Sequence, residues 1–326
     1  MARRNWSDES CGLGYHTGFE SQSGKSRTVK HLLSIEKLSR ADVEQILDKA
    51  TVLKRERGHH KTQPLVGQTW ALIFSKSSTR TRVSFEVGVS ELGGQSMFLS
   101  AADIQMGRGE PIKDTARVMG RMLHGVVFRT FAQSDVEEFA QFSGIPTINA
   151  LTDEEHPCQI LADVLTIQER LGNMAGKVVT FVGDGACNVA VSWLFAAAKL
   201  GFECRIAAPK QFQPSAELLK RACGKVVVTD DLKTAATGAD VLYTDVWVSM
   251  GKEDESAERT NVLGGYQINQ SLVKLAKPGA LVMHCLPAYR GKEIDEQTFE
   301  SNADTIFTQA ENRLHAQKAV LNWAVS

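Results

Sequence analysis

Two arginines and three hydroxyl side chains occur together shortly after an apolar run. The stretch reads Ser78-Thr79-Arg80-Thr81-Arg82, the run before it (69–74) is typical of a buried strand, and helical spacing follows. A helix that begins here offers unpaired backbone N–H groups and the positive end of its dipole. The hydroxyls add donors, and a guanidinium can bind two oxygens at once. The stretch therefore predicts a phosphate site, although a serine N-cap followed by solvated arginines would leave the same pattern.

Charged residues also end two other apolar runs. Arg129 follows the run 125–128, and Asp245 follows the run 239–244. Because the carboxyl ends of parallel strands face one crevice, we expect Arg80 and Arg129 to share it. Asp245 is equally consistent with turn chemistry and with pairing to an ammonium group.

Two residues with reactive side chains have simpler structural interpretations. His156 precedes a long helical pattern, where a histidine more often caps a helix or lies at the surface than acts in catalysis. Cys285 ends the apolar run 279–284, where a cysteine usually behaves as a small hydrophobic residue. The residue types alone leave both alternatives open.

Strand-like runs alternate with helical patterns from about residue 30 onwards. The runs are 69–74, 95–100, 125–130 and 146–151 in the first half and 177–182, 203–208, 239–245 and 279–285 in the second. This alternation predicts an α/β fold with two doubly wound parallel-sheet domains linked by long helices. A chain of 326 residues is long enough for two cores. We place a flexible extension or leader at 1–28, one domain at 29–160 and the other at 161–310.

Composition narrows the class of protein. The formal net charge of −1 gives no electrostatic basis for binding nucleic acid or an anionic membrane, and no apolar run approaches the roughly 20 residues of a membrane helix. The six cysteines are scattered without zinc-like spacing, which is typical of reduced thiols and favours the cytoplasm.

A glycine turn in the second half raises the alternative of a dinucleotide-binding protein. Gly183-Asp184-Gly185 follows a strand-like run and precedes a helix, which is half of that fingerprint. Asn188 stands where the third glycine would be, and no acidic residue ends the next run. Both departures disfavour NAD.

The phosphate stretch and its surroundings resemble the carbamoyl-phosphate loop of the aspartate/ornithine carbamoyltransferase family. The resemblance is carried by Phe74-x-Lys76-x-Ser78-Thr79-Arg80-Thr81-Arg82-x-Ser84-Phe85-Glu86. Further blocks match the ornithine branch in the same order, at 156–159, 245–251, 284–287 and 311–321. The string Asp-x-Trp-x-Ser-Met-Gly at 245–251 is the most discriminating, because the aspartate branch lacks it.

The resemblance implies a role for each matching residue. The residues implied to bind carbamoyl phosphate are Ser78, Thr79, Arg80, Thr81, Arg129, His156, Gln159, Cys285, Leu286 and Arg313. The residues implied to bind ornithine are Asn188, Asp245, Ser249 and Met250. Catalytic roles fall on Arg80, Arg129, His156 and Cys285. Neither a metal nor a cofactor is implied. The chain departs from the family at Cys187, commonly asparagine, and at Val191, where many members have a polar residue.

The same resemblance implies an activity and an assembly. The activity is transfer of the carbamoyl group of carbamoyl phosphate to the δ-amine of L-ornithine, giving L-citrulline and phosphate, in arginine synthesis or catabolism. Residues 29–160 would bind carbamoyl phosphate, residues 161–310 ornithine, and the closing helix 311–326 would pack back on the first domain. A homotrimer is implied, with a neighbour's loop 95–106 in each site. Putrescine or an N-acylated ornithine as acceptor, and a non-catalytic binding protein, are the alternatives.

Overall fold

The computed structural model describes residues 29–102, 104–248 and 253–326. These residues form two parallel β-sheets with helices between successive strands, so the predicted α/β fold with two doubly wound domains is confirmed. Within these ranges, no helix is both long enough and apolar enough to cross a bilayer. The predicted extension at 1–28 lies outside the described residues.

The first sheet has four parallel strands in the order β2-β1-β3-β4. The strands are β1 (Thr69–Phe74), β2 (Gln95–Ser100), β3 (Gly125–Arg129) and β4 (Thr147–Leu151), and the helices are α1 (Arg40–Arg55), α2 (Thr79–Glu91), α3 (Ile112–Met119) and α4 (Gln133–Ser143). Phe74 lies opposite Arg129 in the register of β1 and β3. The turn into α2 and the side chain of Arg129 therefore leave the sheet next to each other.

The second sheet has five parallel strands in the order β7-β6-β5-β8-β9. Its strands are β5 (Val178–Val182), β6 (Glu203–Ala207), β7 (Lys225–Thr229), β8 (Val241–Thr244) and β9 (Leu281–His284); its helices are α6 (Asn188–Leu200), α7 (Ala216–Ala222), α8 (Leu232–Ala236), α9 (Ser256–Leu263), α10 (Gln270–Val273) and α11 (Glu296–Ser301). Thr244 lies opposite His284. The next residue of each strand, Asp245 and Cys285, therefore emerge side by side.

Two long helices link the sheets. α5 (Pro157–Leu171) leads from the first sheet to the second, and α12 (Ala303–Val325) returns from the second sheet to pack on α5, α1 and α2. α12 begins earlier than the predicted start at 311, because Thr305, Ile306 and Gln309 continue a face that is buried. The second turn of α12 brings Gln309 between Asp163 on α5 and His284 at the end of β9.

The burial of β1 explains why its sequence is a continuous apolar run. In β1 every residue after Thr69 is buried, since the strand has neighbours on both sides and helices on both faces. β2 at the sheet edge is exposed at Gln95, Ser96 and Met97. The two strands therefore differ in pattern although they pair directly.

We expect Gly125→Ala to destabilise the first domain by about 2 kcal/mol, because overpacking of a dense core costs that order of free energy. A Cβ at Gly125 would lie 2.5 Å from the fully buried ring of Trp70. Urea unfolding of Gly125→Ala and of Gly265→Ala, which has no atom within 4 Å of its Cβ position, measures the effect. Equal midpoints for the two variants would contradict this packing argument.

Candidate active site

A cleft of about 390 Å³ opens where the carboxyl ends of the two sheets face each other. Every predicted site residue within the described ranges lines it. These residues are Ser78, Thr79, Arg80, Thr81, Arg129, His156, Gln159, Asn188, Asp245, Cys285, Leu286 and Arg313. Ser249 and Met250, predicted to bind ornithine, lie outside the described residues. The expected sharing of one crevice by Arg80 and Arg129 is met.

The beginning of α2 forms one wall of the cleft. Ser78 is the N-cap: its Oγ accepts a hydrogen bond from the Thr81 N–H at 3.3 Å and donates one to Thr81 Oγ1 at 3.0 Å. Thr79 and Arg80 are exposed in the first turn. The N-cap and the anion site are thus compatible interpretations, since capping by Ser78 leaves the side chains of the first turn facing the cleft.

Three guanidinium groups line the same cleft. Arg129 is buried, and its Nε finds no hydrogen-bond partner among the described residues. Burial, together with the positive charges of Arg313 and Arg80, lowers the pKa of Arg129 to about 10. Three positive charges in one cleft favour the binding of a multiply charged anion.

Arg313 connects α12 to the beginning of α2. Its Nη1 donates to Gln159 Oε1 at 2.5 Å, and its Nη2 donates to Thr81 Oγ1 at 3.1 Å. Burial lowers the pKa of Arg313 from its usual value. The contacts place α2, α5 and α12 around one point of the cleft.

His156 lies at the N-cap position of α5 without capping it through its side chain. The ring is buried, and Nδ1 has no hydrogen-bond partner in the described part of the chain. Burial, and after it the charges of Arg313 and Arg129, lower the pKa of His156 well below its usual value. The imidazole is therefore neutral and can offer one hydrogen bond to a carbonyl group without adding charge.

A thiol and a carboxylate form the opposite wall. Cys285 Sγ donates to Asp245 Oδ1 at 2.9 Å, and the Val246 N–H donates to the same oxygen at 2.7 Å. Burial is the main cause that raises the pKa of both Cys285 and Asp245. The negative charge of Asp245 raises the pKa of the Cys285 thiol further. The thiol therefore stays protonated at neutral pH.

Asn188 and Leu286 complete this wall. The Asn188 Nδ2 donates to the Thr152 carbonyl at 2.7 Å, which joins the two domains across the cleft.

Leu286 has a φ of 60°, and its N–H donates to His284 Nδ1 at 2.9 Å. His284 Nε2 in turn contacts Glu293 Oε1 at 3.1 Å. His284 belongs to a block that matches the family but was given no role from the sequence, and Glu293 was not identified there; together these two buried residues support the loop that carries Cys285.

The donor atoms of Asp245, His284 and Cys285 lie within 4.8 Å of one another. Both ring nitrogens of His284 are already engaged, with Leu286 and Glu293, so the cluster offers a metal ion few available electron pairs. That no metal takes part stays a prediction.

Sequence reasoning also missed a cation and an anion on the floor of the cleft. Lys76 forms an ion pair with Asp153, and its Nζ lies 4.2 Å from the centre of the Phe131 ring. The available signal was position, because Lys76 follows β1 by two residues and belongs to the phosphate-loop motif.

Glu155 is a buried carboxyl at the joint of the two domains. Its Oε2 accepts from the Ile35 N–H at 2.9 Å and from Ser192 Oγ at 3.1 Å, while Ser192 Oγ accepts from the His156 N–H at 2.9 Å. Burial raises the pKa of Glu155 from 4.5 to about 7. Between pH 4.5 and about 7, the Glu155 carboxyl is therefore protonated in the folded state and ionised in the unfolded state.

We expect this proton to make stability fall as pH rises from about 4.5 to 7, by up to about 3 kcal/mol. Glu155→Gln cannot titrate, so its unfolding free energy should depend less on pH over that range. Urea unfolding at pH 5 and pH 8 measures the difference. Glu154→Gln, at the exposed neighbouring position, is the matched control and should keep the wild-type dependence. Equal pH dependences for Glu155→Gln and wild type would disprove the argument.

Two family models cover nearly all of the described residues. Residues 30–169 match the aspartate/ornithine carbamoyltransferase carbamoyl-phosphate-binding domain, and residues 175–324 match the aspartate/ornithine-binding domain of the same family.

Known proteins resemble the chain over most of its length. An ornithine carbamoyltransferase of Akkermansia muciniphila is 58% identical over 296 residues, which is 90% of this chain and 97% of that protein. The structure of ornithine carbamoyltransferase from Pyrococcus furiosus superposes with a TM-score of 0.84 at 43% identity, covering 90% of this chain and 96% of that one. The anabolic enzyme of Campylobacter jejuni gives a TM-score of 0.85 at 40% identity, covering 90% and 98%. Through both its domains, the chain belongs to the aspartate/ornithine carbamoyltransferase family.

Proposed function

We propose that this protein transfers the carbamoyl group of carbamoyl phosphate to the δ-amine of L-ornithine, giving L-citrulline and phosphate. One observation carries the proposal: three guanidinium groups, one of them at the N-terminus of α2, face a partly buried carboxyl group and thiol across a single cleft. The first wall suits a phosphate, and the second suits an ammonium group or amine. The similarity to ornithine carbamoyltransferases supports the same pair of substrates.

The phosphate of the donor would bind at the N-terminus of α2, on Ser78, Thr79, Arg80 and Thr81. Arg129 and Arg313 would neutralise the remaining charge, which makes phosphate a good leaving group. Attack on the carbonyl carbon places negative charge on the carbonyl oxygen, and donors fixed around that oxygen stabilise the tetrahedral intermediate.

The groups available to the carbonyl oxygen are Thr81, Arg129 and the neutral ring of His156. Because His156 and Arg129 are already buried, little solvent has to be reorganised when the charge forms. Gln159 would orient the carbamoyl NH₂ group through its carbonyl oxygen.

The acceptor has to lose a proton before it can attack, since an alkylammonium group has a pKa near ~10.4. Asp245 and Cys285 would hold the amine, together with Asn188, and the phosphate that departs could take up a proton. Desolvation in the cleft favours the neutral amine over the ammonium ion. Ser249 and Met250 are proposed to bind the amino-acid head group, as the family motif implies, and Leu286 to contact carbamoyl phosphate.

We further propose a homotrimer, the cytoplasm as its location, and domains at 29–160 and 161–310. Exposed apolar side chains at Met97 on the edge strand β2 and at Met122 after α3 support contact with another subunit. A neighbour's loop 95–106 would then complete each site.

The direct experiment is citrulline formation from carbamoyl phosphate with L-ornithine, putrescine, N-acetylornithine and L-aspartate as acceptors. We expect L-ornithine to be preferred by at least about 100-fold in kcat/KM, because a site built for a free amino-acid head group and a δ-amine rejects acceptors that lack either one. Preference for another acceptor would overturn the substrate assignment and keep the phosphate site. Absence of transfer to any acceptor would leave a binding protein.

A further inference from the structure

One fully buried carboxylate lies between the two walls of the cleft. Asp163 is on α5, one turn after Gln159, and its side chain is completely removed from solvent. Its Oδ1 accepts a hydrogen bond from Gln159 Nε2 at 2.8 Å and another from Gln309 Nε2 at 2.7 Å. Gln159 lines the cleft, and Gln309 comes from the part of α12 that lies beside β9.

Asp163 Oδ1 accepts from the nitrogen of both amides, so each amide turns its own oxygen away from Asp163. The oxygen of Gln159 accepts from Arg313 Nη1 at 2.5 Å. The oxygen of Gln309 accepts from the backbone N–H of His284 at 3.0 Å. Asp163 therefore fixes the direction of two amides that serve opposite walls.

Two opposing effects act on the pKa of Asp163. Burial raises the pKa of Asp163 to about 7, while hydrogen bonds from Gln159, Tyr243 and Gln309 and the charge of Arg313 act in the opposite direction. The donors therefore reduce, without cancelling, the rise in pKa that burial causes.

We propose that Asp163 is a positioning residue that couples the phosphate wall, through Gln159 and Arg313, to the strand end that carries Cys285, through Gln309 and His284. Its importance for carbamoyl transfer rests on the proposed function; its effect on the geometry of the two walls does not. Because both amides donate to the same oxygen, a shift of Asp163 changes the position of both amides and so affects both walls.

The test uses three variants of the full chain and two readouts. Asp163→Ala removes the acceptor for both amides, and Asp163→Asn keeps a carbonyl oxygen there. Gln309→Leu removes the hydrogen bonds of Gln309 to Asp163, Tyr243 and the His284 N–H and leaves the bond between Gln159 and Asp163 in place. The first readout is the Kd of carbamoyl phosphate, and of inorganic phosphate, by calorimetry. The second is the rate at which iodoacetamide alkylates Cys285, followed by mass spectrometry of the peptide, which needs no substrate.

Asp163→Ala is expected to weaken phosphate binding at least tenfold and to change the alkylation rate of Cys285 at least fivefold. Gln309→Leu should change alkylation to a similar extent and leave both Kd values within twofold. Asp163→Asn should keep both readouts within threefold of wild type. Thr166→Val alters another buried contact between α5 and α12, the Asn312 hydrogen bond, and is the matched control expected to change neither.

Equal effects of Gln309→Leu on both readouts would show general loss of packing and overturn the proposal. A folded Asp163→Ala that changes neither readout, or only one, would overturn it as well. If Asp163→Ala does not fold, the selectivity of Gln309→Leu decides. Failure of the wild type to bind carbamoyl phosphate or phosphate would overturn the proposed function instead, and the alkylation rates would still test the positioning role.

Discussion

Replacing Arg129 by methionine is expected to lower kcat/KM for carbamoyl phosphate at least about a thousandfold and to raise the melting temperature of the free protein. In the proposed binding mode two charge-assisted hydrogen bonds to the donor are lost, worth ~2 kcal/mol each, and ~4 kcal/mol corresponds to about three powers of ten in rate. The stability gain has a separate cause. Arg129 is buried beside Arg80 and Arg313, whose charges disfavour its own. Methionine fills a similar volume without a charge to desolvate.

Steady-state kinetics and calorimetry without ligand measure the two effects. Arg121→Met removes a guanidinium from an exposed position shortly before β3 and is the matched control. Surface substitutions of this kind change stability by only about ±0.5 kcal/mol, so both readouts should stay near wild type. Retention of more than about a tenth of the activity in Arg129→Met would refute the role of this residue.

Asp245→Asn is expected to raise the KM for L-ornithine by about 100- to 1,000-fold while the Kd of carbamoyl phosphate stays within about twofold, since losing one partner of a buried charge pair costs ~3–4 kcal/mol. The substitution is nearly isosteric. Its amide oxygen can still accept from Cys285 Sγ, now 2.9 Å from Asp245 Oδ1, so the change isolates the charge.

The same residue predicts a direction of pH dependence. Burial raises the pKa of Asp245, so the carboxyl becomes neutral at a higher pH than an exposed aspartate would. As pH falls through that raised pKa, the wild-type KM for ornithine should increase, and the increase should be smaller in Asp245→Asn, where only the titration of the substrate amine remains. Asp230→Asn, at an exposed position of the same domain, is the control. A large loss of carbamoyl-phosphate affinity in Asp245→Asn would assign the residue to the other wall.

The strands were predictable because each central strand of a parallel sheet is buried on both faces and reads as an apolar run. β1 and β8 are of this kind. Position at a strand end was enough to place Arg129 and Asp245 at the edge of a sheet, since all strands of a parallel sheet point the same way. The start of α12 was predicted too late, because its first buried turn contacts elements distant in the sequence.

The sequence by itself determined the local features: the alternation of strands and helices, the Ser78 N-cap and the motifs that identify the family. These depend on side chains a few residues apart. Only the tertiary structure decided that Arg313 contacts Thr81, that Asp163 serves two amides, and that His156 is neutral. The partners in the first two cases are brought together by packing of α12 on α5 and α2. The pKa of a buried group depends on every neighbour that displaces water from it, and those neighbours come from the whole chain.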